Sequence, residues 1–303
     1  AGVEDVPAMI AILVSGKADD VKAAKATLMI LSGEGFTAAI GAAIPKASPA
    51  VKATLLELLG NRTAADQLAV VLEATSDKEG AVRTAAYRAL PFLVGAQDAP
   101  RMLEMLQAAT DQGQRNEVAN AAIAALRKTP DPPAAVLSVL PKAEGPGRAE
   151  LLKLLARLGG AAALQAVLAE TKSENAAARE TSIRALGDWV DDSAAPALLS
   201  IAKDAKEQVQ HVVALRGYLR MIALPNSRPA EQAVEMFKHA EETVRSADDK
   251  KLILGGLGAV RHVDAALLAA KYLDDDAVKA EAAATVIKIA CPGDFGTSGL
   301  KGA

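Results

Sequence analysis

The stretch Asp77 to Gly95, DKEGAVRTAAYRALPFLVG, recurs along the 303-residue chain as a pattern of residue types. An anchor residue, commonly followed by a basic one, leads into small apolar residues in steps of three and four. Comparable starts fall at Val21, Val51, Val82, Val118, Arg148, Ala178, Val209, Lys250 and Val278, separated by 30, 31, 36, 30, 30, 31, 41 and 28 residues. Apolar residues at such steps line one face of an α-helix. A near-constant period of this length marks a repeat architecture, in which each unit buries its apolar face only by stacking on its neighbours.

Between consecutive anchors lies a second helical segment, as in residues 64–75, 99–110, 161–171 and 194–205. Each unit therefore reads as helix, short turn, helix. Asp98 before Pro100, Ser193 before Pro196 and Asn226 before Pro229 place a capping side chain ahead of a proline in the first turn. Gly60, Gly95, Gly159 and Gly160 stand where second helices are expected to stop. No strand-like alternation occurs, and the sparse aromatics with abundant alanine favour closely stacked helices. The expected fold is all-α, with one elongated repeat domain over 1–290 and a Gly-rich tail or linker over 291–303.

A helical pair of about 32 residues, in which Val-Arg or Val-Lys precedes Ala-x-x-Ala-Leu, resembles HEAT-like repeats, including those of bilin lyases. The likeness is most specific at 77–95 and 174–190. It implies a right-handed α-α superhelix of about nine pairs whose second helices line the concave side. It also implies that the basic residue after each anchor pairs with an acidic residue of a neighbouring unit. That residue is present at Lys22, Lys52, Arg83, Arg179, Lys251 and Lys279 but absent at Ala119, Ala149 and Gln210. The 41-residue step containing ALPNSRP is read as an insertion or kink.

The residues offer little to an enzyme. His211, His239 and His262 share no metal-ligand spacing and read as surface or helix-end side chains. Cys291, the single cysteine, excludes an internal disulfide framework and a multi-cysteine metal site. Asp274 to Asp276 precede Val278 as capping acids. The cluster GDWVDD, Gly187 to Asp192, holds the single tryptophan beside three aspartates. HEAT-like DNA glycosylases use such residues on their concave face, but phosphate contacts require a basic groove, and the formal net charge is −3.

Arg83, Arg88, Arg127, Arg157, Arg184, Arg216 and Arg220 fall in the expected second helices without sharing one helical position. The reading is therefore a non-catalytic protein-interaction or scaffolding module that offers its inner wall to a protein or peptide. Tyr87, Arg88, Arg157, Arg184, Trp189 and Arg220 are the candidate partner-binding residues, with no catalytic, metal or cofactor site and no nucleic-acid or membrane partner. The longest apolar run, Ala8 to Val14, falls short of the roughly 18 residues a membrane span needs. The Ala-rich pattern with a Gly-rich exit is also similar to repeat regions ahead of sugar-hydrolase-like domains in secreted bacterial proteins. That likeness implies an accessory role to a further domain of the same polypeptide and an extracytoplasmic location.

Overall fold

The computed structural model describes residues 3–15, 17–31, 33–225 and 228–291. The chain divides into two compact units, Ala1–Leu158 and Gly159–Ala303. The described part of the first contains five helical pairs: α1 (Val6–Ser15) with α2 (Ala18–Ile30), α3 (Phe36–Ala43) with α4 (Pro49–Asn61), α5 (Leu68–Ala74) with α6 (Gly80–Leu93), α7 (Ala99–Ala108) with α8 (Gln112–Leu126), and α9 (Pro132–Val139) with α10 (Gly145–Leu158). The second contains four: α11 (Ala161–Glu170) with α12 (Ala176–Gly187), α13 (Ala195–Asp204) with α14 (Gln208–Ala223), α15 (Ala230–Glu241) with α16 (Ala247–Leu257), and α17 (Val263–Ala270) with α18 (Lys279–Ala290). No strand occurs among the described residues. Within each unit the second helices pack on one another, α4 on α6 on α8 and α12 on α14 on α16 on α18. The result is an all-α helical-repeat fold.

Helix α6 shows why these segments fold as they do. Val82, Ala85, Ala86, Ala89, Leu90 and Leu93 form one apolar stripe and are all buried. Burying a side chain such as Leu90 contributes about 1.5–3 kcal/mol. Asp77 accepts the Glu79 backbone N–H ahead of the helix at 2.9 Å. Pro91 falls in the last turn, and Val94 leaves the helix with extended backbone. At the end of α10, Gly159 and Gly160 adopt φ of +74° and +95°, which favours residues without a Cβ. Gly60, expected as a stop, instead lies inside α4, where a Cβ would sit 3.1 Å from the Ala89 Cα. Its role is to let α4 and α6 approach. The expectation for Asn226, and the tail beyond Cys291, lie outside the described residues.

The second helices begin 31, 31, 32, 33, 31, 32, 39 and 32 residues apart. The long step remains, because α14 is the longest helix at 16 residues and 224–229 separate it from α15. The other irregularities vanish once the register is taken from the helices. The fourth residue of a second helix is Lys52, Arg83, Arg115, Arg148, Arg179, His211 or Lys250 in seven pairs. The missing basic residues expected at 119, 149 and 210 are therefore Arg115, Arg148 and His211, displaced because the apolar anchors were set out of register.

These side chains do two jobs. Arg83 donates to the Asp77 and Lys78 carbonyls, both at 2.8 Å. Arg115 donates to Ala109 and Thr110, Arg148 to Leu140 and Ala143, and Arg179 to Ser173 and Glu174. They satisfy turn carbonyls where a first helix ends. Arg83 thus holds its own turn, a correction to the expectation that it bridges to a neighbouring unit. Lys52 and Lys250 do bridge onward, to Asp77 at 2.8 Å and Asp275 at 2.6 Å, each in the next pair's turn.

Candidate binding faces on the second helices

In the first unit, α6 presents Tyr87 and Arg88. The Tyr87 hydroxyl accepts a hydrogen bond from Gln114 Nε2 at 2.6 Å, which holds the half-buried ring against α8. The Arg88 side chain is 68% exposed, with Nε 3.5 Å from Glu117 Oε1. On α10, Arg157 donates to Asn120 Oδ1 at 3.0 Å. Partial burial, and then the like charge of Arg127, lower its pKa from the usual guanidinium value.

In the second unit, α12 and α14 cross where Gly187 meets Gly217. A Cβ on Gly217 would fall 2.8 Å from the Gly187 Cα, so only glycine permits this approach. Beside the crossing lies a groove of about 260 Å³ lined by Arg184, Gly187, Asp188, Arg216, Gly217 and Arg220. Arg184 binds Glu180 Oε1 through Nε and Nη2 at 3.1 and 2.6 Å. Arg220 donates from Nη1 to the Gly187 and Trp189 carbonyls, both at 3.0 Å. It therefore fixes the end of α12 as well as facing the groove. Arg216 is exposed and makes no ion pair or side-chain hydrogen bond among the described residues.

Trp189 takes the core place that its spacing of eleven residues from Ala178 favours, and not the partner-binding role also expected of it. Its side chain is fully buried, so it offers no surface to a partner and no ring for a base to stack on. Its aspartate neighbours have local roles. Asp191 accepts the Ser193 N–H at 2.9 Å, and Asp192 pairs with Arg228. Asp188 stands exposed at the C-cap of α12.

The histidines divide. His262 caps α17 by accepting the Asp264 N–H at 3.2 Å, as a helix-end residue should. His211, expected at a surface or helix end, is fully buried in the first turn of α14, with Nε2 3.1 Å from Asp249 Oδ2. Burial pushes the Asp249 pKa up, but the Arg245 backbone N–H, His211 and Ser246 outweigh it and leave the pKa lowered. No group of three or more His, Cys, Asp or Glu residues placed to hold a metal ion occurs among the described residues. None of the described helices is long and apolar enough to cross a membrane. Arg216 stands among the second-helix arginines of the sequence but not among its candidates, its offset from the anchor differing by one residue from that of Arg184; the helix crossing brings the two to one groove.

Residues 37–127 match the family described as HEAT repeats, a span running from α3 through α8. The match bears out the resemblance over these three pairs. No curated protein matches the chain. Among solved structures, an engineered protein aligns over 94% of this chain and 89% of its own at 16% identity, with a TM-score of 0.37. Human deoxyhypusine hydroxylase in complex with glycerol aligns over 95% and 96% at 18% identity, with a TM-score of 0.31. The complex of CpcE and CpcF of phycocyanin lyase from a Nostoc species aligns over 79% and 94% at 18% identity, with a TM-score of 0.36.

Proposed function

We propose that this helical-repeat chain is a non-catalytic interaction module that binds a protein or peptide through its second helices. The reading rests on how the cations are divided between two tasks. Arg83, Arg115, Arg148 and Arg179 are consumed by turn carbonyls, whereas Arg88, Arg157 and Arg184 stay exposed on the second helices. Their partners are an acidic or amide group on the same or an adjacent second helix, which orients each guanidinium without enclosing it. Exposed arginines that are already oriented lose little side-chain entropy on binding and match carboxylates in bidentate geometry.

The test is affinity capture from extracts of the source organism, followed by calorimetry with the captured partner once it has been identified and purified. The triple variant Arg88→Glu, Arg157→Glu, Arg184→Glu should keep its helicity and melting temperature while losing partner binding at least about tenfold. Unchanged affinity in a folded triple variant would remove these faces from the interaction.

A further inference from the structure

We infer that the groove at the α12–α14 crossing is a subsite for a single carboxylate side chain, Asp or Glu, of a bound acidic peptide. This rests on the interaction reading above and assigns its chemistry to one place. The close approach of Gly187 and Gly217 removes side chains from the groove floor, so a small group reaches backbone depth there. Arg184, Arg216 and Arg220 converge on a volume of about 260 Å³, room for a side chain rather than a folded element.

The three guanidiniums are not equivalent. Arg220 is aimed by two neutral carbonyls, which leave its charge uncompensated. Among the described residues Arg216 has no carboxylate partner. Arg184 already holds Glu180 across one turn of α12, and an exposed i,i+4 pair of that kind is weak because water screens both charges. It can therefore exchange Glu180 for an incoming carboxylate.

The acidic groups around the groove define the ligand. Three arginines set against Glu180 and Asp188 leave one net positive charge, enough for one carboxylate. A nucleic-acid strand carries a phosphate at every step and is drawn by a continuous basic stripe. Here Asp188 interrupts such a stripe, and the chain as a whole carries −3. A larger hollow, about 350 Å³, sets Arg179 and Lys206 against Asp204 and Glu207, so no net positive charge is left there, and Arg179 is already bound to Ser173, Glu174 and Glu207.

The single tryptophan reports on this groove, because the Trp189 carbonyl accepts from Arg220 and the residue adjoins Asp188. Titrating the whole chain at low salt with an octaglutamate peptide should shift Trp189 emission saturably, and octaglutamine should not. Arg216→Glu should weaken octaglutamate binding by about tenfold or more, and Arg216→Lys should retain part of it. Arg216 is exposed, so both variants should melt as the parent does. Three results would overturn the subsite. One is no saturable binding of octaglutamate to the parent chain. Another is equal binding by the folded Arg216→Glu variant. The third is tighter binding of oligothymidylate than of octaglutamate. If Arg88→Glu and Arg157→Glu abolish octaglutamate binding while Arg216→Glu does not, the subsite fails and the interaction reading stands. If the purified partner still binds the triple variant, the interaction reading fails, whereas octaglutamate binding that Arg216→Glu weakens would still leave the groove a carboxylate site.

Discussion

His211 stands at the fourth residue of its helix, where six other pairs carry Lys or Arg. Its Nδ1 lies 2.7 Å from the Ala202 carbonyl, the same kind of turn contact that Arg83 makes with two carbonyls. The arginine's role is shared with Arg245, which reaches back from the following pair to the Ala202, Lys203 and Ala205 carbonyls. The difference is burial: His211 and Asp249 are both fully enclosed, with the ring Nε2 3.1 Å from the carboxylate. Removing one partner of a buried pair leaves an uncompensated charge, so His211→Ala should lower stability by about 3–5 kcal/mol. Arg83→Ala, whose carbonyls become hydrated when the guanidinium goes, should cost only about 0.5–1.5 kcal/mol. Urea unfolding followed by far-UV circular dichroism distinguishes the two, and similar costs would contradict the burial argument. The cations at Lys52, Arg83 and Arg179 were legible from the sequence because each follows its anchor directly. The buried role of His211 was not, because its partner Asp249 belongs to the next pair.

At the scale of elements, glycine position decides how closely helices meet. The pairing of helices and most of their limits were legible, since apolar steps of three and four record which face is buried. Which glycines lie at helix crossings was not legible, because contact between second helices is non-local. Gly60 reads as a stop by its place after a leucine run, yet it is a contact with Ala89. The same consideration gives opposite outcomes for one substitution at two sites. A Cβ at Gly217 would lie 2.8 Å from the Gly187 Cα and 3.1 Å from Leu198 Cδ2, and the backbone atom cannot yield without moving α12. Gly217→Ala should therefore destabilise by about 1–3 kcal/mol through overpacking. A Cβ at Gly255, inside α16, would meet nothing within 4 Å, so Gly255→Ala should stabilise by about 0.5–1 kcal/mol. Thermal melts of the two variants, read against the parent chain, should move in opposite directions.

At the scale of the whole molecule, the lysine bridges that lead from one pair to the next recur in both units, Lys52 to Asp77 in the first and Lys250 to Asp275 in the second. The Lys52 ammonium, with the Glu79 N–H, holds the Asp77 carboxyl below its ordinary pKa, and Lys250 with the Ala277 N–H does the same for Asp275. Glu281 is lowered by its own backbone N–H and by Lys251. A carboxylate whose folded pKa lies below its unfolded value contributes stability that is fully present above the unfolded value. That contribution is lost as pH falls through the folded one. Unfolded carboxylates titrate near about 3.9–4.3, so these links persist at neutral pH and weaken together below about pH 4.5. The melting temperature should consequently hold from about pH 7 to 5 and fall steeply toward pH 3. In the double variant Lys52→Met, Lys250→Met, two of the depressed carboxyls lose their main partner. Its melting temperature should start lower at pH 7 and fall less on acidification, so the parent and variant curves converge at low pH. Parallel curves would mean that acid unfolds the chain through other carboxylates, such as Asp249, and that the bridges between pairs contribute nothing the solvent does not.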